Sequence, residues 1–128
     1  MQELTANVSW MAVIVGAVVA FVVGALWYSP KLFGTKWAED VGIELGSASE
    51  MPMGAMAGQA IGLLLMSWFV GVTAGNNALL TVILATVAFT VLQYASGLFS
   101  KKGAYARKVD AGYWIVSLVI MIVANGIF

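Results

Sequence analysis

Apolar residues crowd into four stretches, at about residues 8–28, 52–75, 78–99 and 109–128. Each is close to the ~20 residues a helix needs to cross a bilayer. Trp10 opens the first stretch, and Trp27 and Tyr28 close it, where an aromatic belt would stand. Ser29-Pro30 then stops the helix, because Pro30 disfavours the α conformation at Ser29 and suits the first position of a new turn. In the polar segment that follows, 31–50, Phe33, Trp37, Val41 and Leu45 recur every four residues, with Lys36, Glu39, Asp40 and Glu44 on the other faces. That pattern predicts a short amphipathic helix lying in the interface. Gly46-Ser47-Ala48-Ser49 reads as a turn, Gly75-Asn76-Asn77 as a tight hairpin link, and Ser100 to Lys108 as a short basic loop. The expected fold is one all-α domain over residues 1–128, a four-transmembrane-helix bundle with an interfacial helix after the first span.

All six lysines and arginines fall in the first and third links, and none in the termini or the second link. The positive-inside rule then puts both basic links in the cytoplasm and both termini outside it. All four tyrosines, Tyr28, Tyr94, Tyr105 and Tyr113, fall on the basic side. The opening residues carry Glu3 and no cation, so the first stretch reads as a retained helix and not as a signal peptide.

Composition agrees with a membrane solvent. Hydrophobic residues make up 62% and charged residues 9%, against about 25% charged in soluble domains. Mean hydropathy is +0.96. The net charge of zero gives no nucleic-acid signal. The chain has no cysteine and no histidine, which removes disulfides, the commonest general base and the commonest metal ligand.

The run from Leu26 to Lys36 lines up with Leu92 to Lys102 at an offset of 66, sharing leucine, tyrosine, leucine, phenylalanine and lysine. Two readings stay open. One is a duplication giving two parallel two-helix repeats. The other is that any helix ending at this interface favours aromatics followed by lysine.

Small residues give the strongest local signal. Ala12, Gly16, Ala20 and Gly24 stand four apart on the first span, and Gly54, Gly58 and Gly62 on the second. Such stripes let helices approach closely, within one chain or between copies. Polar residues inside spans come next. Thr86, Thr90, Gln93 and Gly97 share one face of the third span; Asp110, Tyr113 and Ser117 share one face of the fourth; Gln59 flanks the second-span glycines. They are candidates for a polar path opening to the cytoplasmic side, or for ordinary helix seams. Asp110 could carry a cation or proton, or serve as an interfacial cap in the first turn of its helix beside Arg107 and Lys108. Met51, Met53 and Met56 form a thioether cluster that reads as interface filler rather than a copper site. Asn7-Val8-Ser9 fits a glycosylation sequon but abuts the membrane. No nucleotide loop is present, no pair of carboxylates is placed inside the bundle, and no serine has an evident base, so neither catalysis, a metal nor a cofactor is expected.

The run Trp27-Tyr28-Ser29-Pro30-Lys31-Leu32-Phe33-Gly34-Thr35-Lys36-Trp37, following an alanine-, glycine- and valine-rich helix opened by Trp10, resembles the domain of unknown function 1761 family of small bacterial membrane proteins. The resemblance implies four spans in a bacterial cytoplasmic (inner) membrane and no assigned activity. On the residues themselves, Trp27, Tyr28, Pro30, Phe33 and Trp37 form an interfacial corner, structural or ligand-binding. The functional expectation is passage of an ion or small solute, with Gln59, Thr86, Thr90, Gln93, Asp110 and Ser117 as its path. The alternative is a non-transporting assembly, lipid-binding or scaffold component. Expected partners are membrane lipid and further copies of the chain.

Overall fold

In the computed structural model, which describes residues 2–41 and 53–128, six helices run in the order α1 (Gln2–Thr5), α2 (Trp10–Trp27), α3 (Gly34–Val41), α4 (Met53–Gly75), α5 (Leu79–Phe99) and α6 (Ala104–Ile127). The described residues contain no strand. Helices α2, α4, α5 and α6 are the four spans, each long and apolar enough to cross a membrane. The expected turn at 46–49, the face positions Glu44 and Leu45, and Met51 lie outside the described residues.

The bundle is a square. Helix α2 packs on α4 and α6, α5 packs on α4 and α6, and the diagonal is closed by α4 against α6. Small and polar residues fill its interior: Ala12, Gly16, Ala17 and Ala20 of α2 are buried, as are Ser67, Thr73, Thr86 and Ser117. Ala20, Leu63, Val70, Val82, Leu118 and Met121 form the apolar core. Ile14, Val18, Val22, Leu84, Phe89, Val91, Leu92 and Val119 point outward. That distribution suits lipid, where close packing rather than apolar burial drives helix association.

The termini of the helices are built locally. Ser9 caps α2 by accepting the Ala12 N–H at 3.3 Å. Helices α4 and α5 both end in a Schellman turn. The Ala78 N–H reaches Thr73 O at 2.7 Å, and the Lys102 N–H reaches Gly97 O at 2.8 Å. The left-handed position is held by Asn77 (φ 56) in the first and by Lys101 (φ 61) in the second. At the non-basic end, Asn76 donates to Ala6 O at 3.0 Å, Asn7 donates to Asn76 at 3.2 Å, and the Trp68 indole donates to Leu4 O at 2.7 Å. The sequon asparagine is therefore occupied in tying the N-terminus to the α4–α5 link.

Two boundaries differ from expectation. Helix α6 starts at Ala104 rather than near 109, so Arg107 and Lys108 are helical and the basic loop is shorter. Asp110 consequently lies in the second turn of α6, not the first, and does not cap its own helix.

Candidate functional site: a carboxylate clamp at the basic end

The chain after α2 folds back at once. Ser29 Oγ donates to Leu26 O at 2.7 Å, Phe33 N–H to Trp27 O at 3.1 Å, and Gly34 N–H to Ser29 O at 2.9 Å. Gly34 is required here, because a Cβ would run into the Tyr28 carbonyl oxygen. Trp27 and Phe33 stack with centroids 4.7 Å apart, and Tyr28 meets Trp37 edge-on at 5.1 Å. Pro30 stays exposed on the outside of the bend. The corner thus lays α3 across the start of α6.

Asp110 is the point on which this corner closes. Its Oδ1 accepts the Tyr28 hydroxyl at 2.5 Å and the Trp37 indole N–H at 3.0 Å. Its Oδ2 pairs with Lys102, the one ion pair among the described residues. Lys102 also stands 5.9 Å from the centre of the Trp37 ring. A carboxylate 7% exposed at the edge of an apolar span therefore has three donors, from three segments of the chain, which is what a buried charge requires. Burial, and then the hydrogen bond and negative charge of Asp110, push the Tyr28 hydroxyl well above its ordinary value.

The seam between α2 and α6 is reciprocal. Trp27 donates to Val109 O at 3.0 Å and lies over Gly112, where a Cβ would stand 3.1 Å from the ring. Tyr113 donates to Ala20 O at 2.7 Å and lies over Gly24, where a Cβ would stand 2.5 Å from its hydroxyl. Each helix offers a glycine to the other's aromatic ring.

Asp40 and Arg107 complete the end of the bundle. Asp40 Oδ2 accepts the Ala106 N–H at 2.8 Å. Arg107 crosses α5 at Gly97, where a Cβ would stand 3.0 Å from its stem, and its guanidinium lies 5.0 Å from the centre of the Tyr94 ring. Its Nε is buried without a partner. A cavity of about 10 Å³, room for roughly one water, is lined by Thr90, Gln93, Tyr94, Lys102, Arg107, Asp110 and Ala111. Tyr28 and Tyr94, the aligned tyrosines of the two half-chains, thus stand against Asp110 and Arg107 respectively.

The six residues of the expected polar path do not share one site. Thr90, Gln93 and Asp110 border the small cavity. Thr86 is buried on α5, and the Thr90 hydroxyl bonds back to its carbonyl at 2.7 Å. Ser117 is buried on α6 with no hydrogen-bond partner. Gln59 is exposed on α4 and does not line that cavity. The packing residues divide similarly. Gly16, Ala20 and Gly24 pack inside the chain, Gly16 against Ser67 and Met121. Among the described residues Gly54, Gly58 and Gly62 have nothing within 4 Å, and residues 53–62 are all exposed, Met53 and Met56 among them. Asp40, Lys102 and Arg107 carry no local signal beyond their charge; Asp40 acts on Ala106 across 66 residues, whereas Lys102 and Arg107 act across the turn between α5 and α6.

No curated protein and no solved structure matches the chain. The profile of one family, "Protein of unknown function (DUF1761)", matches residues 11–126. With nearly its whole length covered, four spans included, the chain belongs to the DUF1761 family of proteins of unknown function.

Proposed function

We propose that this chain is a non-transporting membrane component that engages lipid and assembles with further copies of itself. The observation that carries this reading is the saturation of Asp110. Its two oxygens already hold Tyr28, Trp37 and Lys102, so the carboxylate is a latch between α3 and α6 rather than a vacant cation ligand. Latching the interfacial helix α3, which carries Lys36, Glu39 and Asp40, onto α6 fixes the corner beside the cations of the α5–α6 turn at one leaflet. The exposed first half of α4, where Gly54, Gly58 and Gly62 meet no neighbour among the described residues, offers a second copy a close approach. The concentration of cations at this end supports a cytoplasmic-membrane orientation with both termini outside, and the family resemblance supports a bacterial membrane.

A second reading, passage of a proton or small ion, is favoured by one observation. Ser117 Oγ is buried without a partner, two helical turns or about 10 Å from Asp110 along α6. Purified protein in liposomes separates the readings. No release of cations, anions or small neutral solutes above empty vesicles is expected. Flux that disappears with both Asp110→Asn and Ser117→Ala would establish the second reading instead.

A further inference from the structure

We infer that Arg107 is the seat of an oxyanion site for a phosphate group, of the kind carried by a phospholipid headgroup. One edge of the arginine has no acceptor among the described residues. Gly97 leaves room for its stem and Tyr94 supports the face of its guanidinium. Its Nη1 is spent on the Lys102 carbonyl at 2.5 Å. No carboxylate among the described residues pairs with it, since Asp110 is taken by Lys102. What remains is the edge formed by Nε, which is buried and unpartnered, and Nη2, to which no acceptor among the described residues is bonded. That edge is a planar two-donor fork, the geometry that takes a carboxylate or phosphate in a bidentate grip.

Charge and position favour phosphate. Lys31, Lys36, Lys101, Lys102, Arg107 and Lys108 stand at this end against Glu39, Asp40 and Asp110, six cations to three carboxylates among the described residues. Arg107 is the fourth residue of α6, within a turn of the helix start. A span beginning there places it near the headgroup layer, where basic pockets between spans bind lipid phosphates. Gln93 and Thr90 border the same cavity and offer further polar atoms at its rim. A headgroup need only set one oxygen into the water-sized space, with the rest of the phosphate at its mouth.

This deepens the lipid-engaging side of the proposed function. It is tested without any flux measurement, so leakage in liposomes would overturn that reading and leave this one standing. The full chain is purified in detergent, equilibrated with micelles containing phosphatidylglycerol and phosphatidylcholine, and examined by native mass spectrometry and by ³¹P NMR. Inorganic phosphate is the second arm. Wild type should retain phospholipid, and Arg107→Gln should weaken retention by about tenfold, the loss of a charge-assisted pair of hydrogen bonds. Gly97→Ala keeps the charge but crowds the arginine stem, and should also weaken it; Lys31→Gln, outside the site, should not. Circular dichroism and gel filtration check that each variant is folded. Binding of inorganic phosphate with the same dependence on Arg107, but no lipid, would support the phosphate chemistry and assign it to a soluble anion. Equal retention by wild type and both site variants, or no phosphate compound bound by wild type, would overturn the inference.

Discussion

Asp40 caps a helix that begins more than sixty residues later, its Oδ2 accepting the Ala106 N–H at 2.8 Å. Gly103, at the N-cap position of α6, has no side chain to do this, and a Cβ there would run into the Asp40 carboxylate. The missing side chain and the incoming carboxylate are one device, and it fixes α3 on α6. Asp40→Ala should lower stability by about 1 kcal/mol, up to about 2, as cap removals do. Gly103→Ser should destabilise the wild type by collision yet recover stability in the Asp40→Ala background, where the serine can cap locally. Thermal unfolding of all four proteins in one detergent measures the sign reversal; additive effects would show that Asp40 does not act as the cap.

Tyr28 and Lys102 should be coupled through Asp110. Tyr28→Phe removes one donor to a charged acceptor and should cost about 2 kcal/mol. Asp110→Asn should cost more, because it also leaves Lys102 unpaired at the edge of the apolar region. Adding Lys102→Met to Asp110→Asn should then restore part of the loss. A double-mutant cycle of Tyr28→Phe and Lys102→Met should give a coupling of about 0.5 kcal/mol or more, since both contact one carboxylate. Additivity in that cycle would mean the clamp is not a unit.

The Tyr28 hydroxyl also sets a pH dependence. Its pKa in the folded chain is raised above the ordinary 10.0, first by burial and then by Asp110. Below that ordinary value Tyr28 is protonated in both folded and unfolded chains, and the contribution is fully present. Above it, the unfolded chain ionises and gains while the folded chain does not, so stability falls as pH rises. The informative quantity is the difference between wild type and Tyr28→Phe. That difference should shrink from about pH 10 upward. Ultraviolet titration should also find the Tyr28 hydroxyl, identified by comparison with Tyr28→Phe, resisting ionisation until the fold is lost.

Two glycines with the same sequence appearance should behave oppositely. A methyl at Gly24 would meet the Tyr113 hydroxyl at 2.5 Å and disturb its bond to Ala20 O. Gly24→Ala should therefore destabilise by about 1–3 kcal/mol, the usual range for overpacking. A methyl at Gly58 would meet nothing among the described residues, so Gly58→Ala should leave stability unchanged or raise it by up to about 1 kcal/mol through helix propensity. Gly58→Leu should leave the monomer folded and reduce crosslinking between copies. Unchanged crosslinking would remove α4 as the contact between them.

How much of this was legible follows from range. The spans were readable because hydropathy is a local property, and the aromatic corner because Trp27, Tyr28, Phe33 and Trp37 lie within one short run. Hydropathy drops at Arg107 and Lys108 while the backbone helix continues, so the apolar pattern points to a start near 109 and the helix begins at Ala104. Its cap comes from Asp40, which no window around residue 104 contains. Asp110 stood out as the acid nearest a span, but Tyr28 and Trp37 reach it from more than seventy residues away. The glycine stripes looked alike, and only the three-dimensional arrangement separates Gly16 and Gly24, which receive neighbours, from Gly54, Gly58 and Gly62, which do not.

Sidedness can be tested cleanly because the chain contains no cysteine. Single cysteines at Lys31, Asn76, Lys108 and Phe128 are all at exposed positions. Lys31 and Lys108 flank the α3–α6 end, whereas Asn76 and Phe128 lie at the other. A membrane-impermeant thiol reagent added to intact bacterial cells should label N76C and F128C and leave K31C and K108C unlabelled until the cells are opened. The positive-inside rule requires that order, because every cation of the chain lies at the α3–α6 end. The reverse pattern would put the carboxylate clamp and the arginine site on the outer leaflet. The phosphate site would then face outer-leaflet headgroups, and the latch on α3 would be open to external pH rather than to the cytosol.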